Sequence, residues 1–356
     1  MKYDAWKKTA LATSMLCALG AAPLWAVDGP AEPVEEDSLA TMINKHVSLS
    51  GVIELEASWG EDFEGVSEST VELATAEVWL EAQMSSWAQG ILGLEWDGDD
   101  DKITVAEAFI TVGDSEKSPL SFTGGRLAVP FGSYETNMIS DPLTLDIGET
   151  VEDALVVGFE QAGFSGSVYV FNGETNEGGG NESIEHYGLS LGYSVERDDL
   201  GLEIGVGYIS SLLDSDGLTD AMADGMETDY VGGLAAHVVA GFGDVVLIGE
   251  YVAGLDDAVE VSAADEVTNH SKPAAWNLEA AYTFGASEVT AAAAMQGTKN
   301  LGGILPELRL VATVGFGLDE GLSLAFQYAH DEDYDVAEGG TGEAADSATA
   351  KLAYEF

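Results

Sequence analysis

The 356-residue chain carries 64 aspartates and glutamates against 12 lysines and arginines, a net charge of −52. That balance excludes nucleic acid and anionic lipid surfaces as electrostatic partners and favours cations or a surface solvated by carboxylates. A single cysteine, Cys17, leaves no intramolecular disulfide to hold an exported fold together.

Residues 1–26 have the pattern of an export signal. Lys2, Lys7 and Lys8 form a positive start, an uncharged Ala- and Leu-rich run follows from Thr9, and Leu24-Trp25-Ala26 offers a small residue at the cleavage point. The run is broken by Pro23 and falls short of the ~20 strongly apolar residues of a spanning helix. Cleavage would remove three lysines and one aspartate, leaving 9 basic and 63 acidic residues and a net charge of −54. Residues 27–46 are acidic and contain proline, and are expected to form a short periplasmic extension, with a brief helix around Ser38 to His46.

From residue 47 to 356 the chain alternates. Segments of about ten residues place apolar side chains at every second position, the signature of strands in a transmembrane barrel. Trp276, Leu278, Ala280, Tyr282 and Phe284 share one face of one such segment. Leu308, Leu310, Ala312, Val314, Phe316 and Leu318 share a face of another. The chain ends on the same pattern, through Leu352 and Tyr354 to Phe356, and a terminal aromatic of this kind is a signal for barrel-assembly machinery.

Seven short links, such as Gln161 to Gly163 and Phe242 to Asp244, take turns with eight longer polar ones. The expected fold is therefore all-β: a transmembrane antiparallel barrel of about 16 strands, with long outer loops and short periplasmic turns in an outer membrane. Trp59, Trp96, Tyr208, Tyr251 and Trp276 fall where strands meet long loops. Tyr193, Phe284, Phe316 and Phe356 fall at short turns, giving two candidate interfacial belts. Outer-membrane lipid and lipopolysaccharide are the expected surroundings, and a homotrimer is left open.

A barrel of 16 strands encloses water. The expected pore-lining residues are Glu77, Glu81, Glu95, Glu107 and Arg126 on the wall. Tyr134, Glu135, Asp141, Asp146 and Glu149 are expected on a loop. Glu54, Glu56, Glu203, Glu250 and Glu279 add further inward carboxylates, against Arg309 and Lys351. Carboxylates on a pore wall favour cations; alternatively they only hydrate the lumen while a narrower point sets selectivity.

The third long link, Pro130 to Glu152, is too apolar for a loop bathed in water. It holds Phe131, Tyr134, Met138, Ile139, Leu143, Leu145 and Ile147, and Pro130 and Pro142 restrict its shapes. It is expected to fold into the barrel as a constriction, with Arg126 facing its carboxylates. The alternative is a contact with a neighbouring subunit.

Two stretches resemble the LbtU family of siderophore porins. One is Ser48-Leu49-Ser50-Gly51-Val52-Ile53-Glu54. The other runs from Gly125-Arg126-Leu127-Ala128-Val129-Pro130-Phe131-Gly132 through Asp141-Pro142, and continues at Gly163-Phe164-Ser165-Gly166-Ser167-Val168-Tyr169-Val170-Phe171-Asn172-Gly173. The resemblance is dense over residues 48–175 and thin beyond. It implies passage of ferric siderophore, or a similar small solute, without energy coupling. The Gly-Arg…Pro-Phe-Gly piece also resembles phosphate-selective porins, so a general or ion-selective pore, for cations or phosphate, is the competing reading. An energy-coupled transporter needs a 22-stranded barrel and a plug, which the 330 residues from 27 to 356 cannot supply.

No catalytic residue, cofactor or metal site is expected. None of the histidines (His46, His186, His237, His270, His330) lies in a nucleophile motif. Asp97-Gly98-Asp99-Asp100-Asp101 looks like a calcium loop, but Lys102 stands where that loop needs glycine and the closing glutamate is absent.

Overall fold

The computed structural model describes residues 46–97, 102–114, 117–173, 184–197, 200–221, 230–261, 267–270, 272–285 and 288–356. The expected signal segment, the extension up to residue 45 and the acidic run at 98–101 lie outside the described residues.

The first eight strands are β1 (Val47–Glu61), β2 (Ser67–Ser85), β3 (Ala88–Asp97), β4 (Lys102–Val112), β5 (Leu120–Ala128), β6 (Val151–Gln161), β7 (Phe164–Phe171) and β8 (His186–Arg197). They continue as β9 (Leu200–Ile209), β10 (Gly233–Phe242), β11 (Val245–Gly254), β12 (Ala258–Val261), β13 (Val267–His270) and β14 (Ala274–Thr283). The last are β15 (Val289–Lys299), β16 (Leu308–Asp319), β17 (Leu322–Glu332) and β18 (Ala344–Glu355). All but β12 and β13 form one closed barrel of sixteen antiparallel strands, each bonded to its sequence neighbours, with β18 returning to β1. β12 and β13 make a separate hairpin in the long link between β11 and β14. The sequence reads that link as irregular, because four-residue strands are too short to show a period.

Closure satisfies every ladder group without an edge, as crossing a hydrocarbon layer by strands requires. The seam is finished by the last residue: Gly51 donates its N–H to the Phe356 carbonyl at 3.0 Å, and Phe356 donates back to Gly51 at 3.1 Å. The Phe356 ring lies where a Cβ on residue 51 would stand, 2.6 Å away, so only glycine fits there.

The alternation sorts side chains by face. On β1, Leu49, Ile53, Leu55 and Trp59 point outward and are exposed, whereas Val52 and Glu54 are buried in the interior. Exposed large apolar residues recur around the wall, from Val78 and Leu80 on β2 to Leu352 and Tyr354 on β18. Such a continuous apolar exterior is stable only against lipid. Among the described residues no helix is long and apolar enough to cross a membrane, so the strands make the crossing. Tyr251 and Trp276 pair across β11 and β14 at the long-loop rim, as two members of an interfacial belt.

Seven links at one rim, five of them two residues long, alternate with eight at the other that run from four to 23 residues. The first long link spans only residues 62–66, because β1 and β2 extend further than their polarity foretells.

The interior is not uniformly open. L3 (residues 129–150) and L5 (residues 210–232, described up to 221 and from 230) both turn inward. With the wall from β6 to β14 they build a core from Val129, Phe131, Leu143, Ile147, Val156, Tyr169, Phe171, Leu212, Leu213, Leu218 and Val252. Two short helices carry the packing, α1 (Leu143–Asp146) in L3 and α2 (Asp216–Ala221) in L5. The interior beside β6 to β14 is therefore packed like the inside of a soluble domain.

Candidate constriction site

L3 leaves β5, crosses the lumen and is fastened to the far wall by inward-facing polar residues. The Glu250 carboxylate on β11 accepts from the Ser133 N–H at 2.8 Å, the Tyr134 N–H at 3.1 Å and the Thr144 hydroxyl at 2.8 Å, so it grips both limbs of the loop. Glu279 on β14 accepts from the Thr136 hydroxyl at 2.7 Å, the Asn137 N–H at 2.8 Å and the Asn137 side-chain amide at 2.6 Å. Gln327 on β17 accepts from the Ile139 N–H at 2.6 Å, and its amide donates to the Ser140 hydroxyl at 3.0 Å. Gln296 on β15 accepts from the Leu143 N–H at 3.2 Å. Backbone N–H groups of a buried loop need acceptors, and an ionised carboxylate accepts at both oxygens. Glu250 and Glu279 are thus anchors, each about 5% exposed, and do not face open water.

Tyr134 takes a left-handed conformation, φ 54°, which its bonds to Glu250 help to hold. Its ring fills space left by two glycines. A Cβ on Gly132 would stand 2.2 Å from the ring, and one on Gly148 2.4 Å from its hydroxyl. Tyr134 therefore belongs to the core and not to the pore surface, with an exposure of 7%.

The loop carboxylates divide between two faces. Glu135 lies toward Glu203 and His237, whose Nε2 is 3.6 Å from the Glu203 carboxylate. Burial, reinforced by Glu203, pushes Glu135 up to about 7. Asp141, Asp146 and Glu149 lie on the other face. Burial and the neighbouring Asp146 raise Asp141 to about 6. Burial raises Asp146 too, opposed by Arg309. Glu149 is pushed highest, to about 8, by burial and then by Asp216, Asp141, Glu107 and Asp146.

The cations facing this set are Arg309 and Lys351. Both are already engaged: Arg309 grips Asp331 in a forked pair, 2.9 Å for each bond, and Lys351 is 2.9 Å from Glu54. Arg126 is not among them. It shares the outward face of β5 with Leu120 and Phe122, exposed, and pairs in register with Asp153, which is exposed on β6. The physical reason is its position two residues from the loop end of β5. At the rim of the apolar belt a charged side chain meets headgroups and water and is tolerated facing out.

The remaining expected wall residues lie on β2, β3 and β4. Glu77 accepts from the Trp79 indole at 2.9 Å, Glu81 from the Gln89 amide at 2.9 Å and Glu95 from the Thr104 hydroxyl at 3.0 Å. Glu107 is buried at the base of L3, accepting the Ala128 N–H at 2.8 Å. The anchors Gln296 and Gln327, and the donors Thr136 and Asn137, escape a charge-based reading. Inward-register amides two residues from alanine, Ala294 on β15 and Ala325 and Ala329 on β17, are the signal that identifies the first two.

A closed barrel of sixteen antiparallel strands, apolar outside and crossed by its third long loop, has the architecture of an outer-membrane porin. No family model matches the chain. It is 27% identical over 301 residues, 81% of its length, to a UPF0422 protein of Coxiella burnetii, and spans 64% of that relative. It is 28% identical over 186 residues to the UPF0422 protein lpl2888 of Legionella pneumophila, spanning 34% of it. Among solved structures, the anion-selective porin of Comamonas acidovorans superposes with a TM-score of 0.61 at 15% identity, covering 87% of this chain and 99% of its own. The outer-membrane channel DcaP of Acinetobacter baumannii gives 0.61 at 12% identity, covering 87% and 97%. Pseudomonas putida OprB gives 0.60 at 12% identity, covering 89% and 96%. At these identities the likeness establishes the fold.

Proposed function

We propose that the protein is a passive outer-membrane pore for compact solutes, with ferric siderophore as the cargo class. The observation that carries the pore reading is L3 latched across the lumen by Glu250, Glu279 and Gln327, while Glu77, Glu81 and Glu95 on β2 and β3 stay at least partly exposed. A latched loop narrows a bore without closing it. The siderophore reading rests on the sequence resemblance over residues 48–175.

The cargo's charge follows from the constriction. Arg309 and Lys351 are neutralised by Asp331 and Glu54, and Arg126 faces outward. An anionic solute therefore finds no uncommitted cation among them, and neutral or cationic cargo is favoured. The same pairing supports the second reading, a cation-selective pore without siderophore preference.

The experiment is uptake into proteoliposomes, with neutral and anionic ferric siderophores set against sugars of matched size. In cells, uptake should survive loss of the TonB energy-coupling system and fall when this protein is deleted. Equal slowing of sugars and siderophores on deletion would assign the second reading.

A further inference from the structure

We propose that Asp216 is a positioning residue for the constriction: from L5 it holds the returning limb of L3, so that a second loop sets the bore. This rests on the pore reading above.

Three contacts carry the inference. The Asp216 N–H donates to the Glu149 carbonyl at 2.9 Å, and its side-chain Oδ1 accepts the Val151 N–H at 3.4 Å. Asp216 thereby spans the point where L3 turns back into β6. One residue on, a Cβ at Gly217 would stand 2.3 Å from the Asp146 carbonyl oxygen, so α1 and α2 meet backbone to backbone. Beneath them Leu212 and Leu218 of L5 pack with Leu143 and Ile147 of L3, all at 1% exposure or less. The described residues of L5 are therefore built onto L3.

The charges show how the hold would register in a measurement. Glu149 faces Asp216 from L5, Asp141 and Asp146 from its own loop, and Glu107 from β4. Every one of these is a carboxylate, and Asp216 is the strongest of them on Glu149. Ionising Glu149 adds a negative charge on the returning limb of L3, so cation conductance should rise as pH passes through its range. Removing the charge of Asp216 should make that ionisation easier.

The test is single-channel recording of the full chain in planar bilayers between pH 5 and 9, with heat-modifiable gel mobility as the check that each variant is folded. Asp216→Asn keeps the backbone bond and a side-chain oxygen but removes the charge. It should move the midpoint of the conductance step down by about one pH unit, the size of a through-space term between partly screened carboxylates. Gly217→Ala forces the helices apart without touching a charge, and should raise conductance at every pH. A purely structural Asp216 would leave the midpoint in place in Asp216→Asn. If the wild-type step exists and neither variant alters its midpoint or height, the inference is overturned. If the wild type does not conduct at all, the pore reading itself fails.

Discussion

Replacing Glu250 by alanine should free the constriction while leaving the barrel intact. The carboxylate receives three short bonds, from Ser133, Tyr134 and Thr144, on limbs of L3 ten residues apart. Hydrogen bonds to a charged acceptor contribute about 1.5–3 kcal/mol each, and they are not additive at one group. Truncation also strands two buried N–H groups and a strained Tyr134, while relieving the desolvation of the carboxylate. The balance resembles a buried pair losing one partner, about 3–5 kcal/mol. At ~1.4 kcal/mol per tenfold, the docked form loses a factor of about 100 to 4000. Glu279 and Gln327 still hold the middle of the loop, so Glu250→Ala alone should give a flickering pore of raised mean conductance. Glu250→Ala with Glu279→Ala should give a steadily wide one. Glu250→Gln keeps one acceptor oxygen but brings an amide against the loop donors, and should fall between. Single-channel recordings measure this directly. The ladder hydrogen bonds are untouched, so gel mobility before and after heating should match the wild type. Wild-type conductance and noise in the double variant would refute the idea that these carboxylates hold L3.

In a salt gradient the reversal potential should indicate cation preference, fading as the screening length shrinks to ~3 Å at 1 M salt; anion preference at low salt would refute the reading of Arg309 and Lys351 as neutralised. The pH response has a defined sign. Asp141, Glu135 and Glu149 ionise near 6, 7 and 8 when docked, above their values in water. Docking is therefore strongest below those water values and weakens as pH rises through 6 to 8, so thiol labelling of a cysteine at position 144 should quicken over that range. Gly148→Ala, whose methyl would collide with the Tyr134 hydroxyl, should displace the L3 base and raise conductance. Truncating Phe356 removes both closing bonds to Gly51 and should lower the yield of heat-modifiable barrel in refolding.

Strand count, alternation and loop order were legible because lipid and water impose a two-residue period on every strand, and no tertiary detail is needed to read it. The inward folding of L3 was legible from its apolar content. What failed did so where that period loses force. Arg126 was placed in the lumen on its charge, yet it lies four residues beyond Phe122 and so keeps the outward parity of its strand. Gly124 and Gly125 between them carry no side chain to mark the faces. The role of the lumen carboxylates was also misread in part. Glu250 and Glu279 have the parity of pore-lining groups, but parity cannot tell a carboxylate facing water from one facing a loop. That depends on where 22 residues of L3 lie, which contacts 106 to 188 positions away decide. The L5 anchor at Asp216 left no signal, since an aspartate at the start of a short polar turn is ordinary.

Those long separations also order events in time. The bond from Ile139 to Gln327 cannot form until β17 is in the wall, so that attachment of L3 waits while ten further strands join the barrel. Until L3 and the described residues of L5 settle into their shared core, the wall surrounds an interior that they do not yet fill.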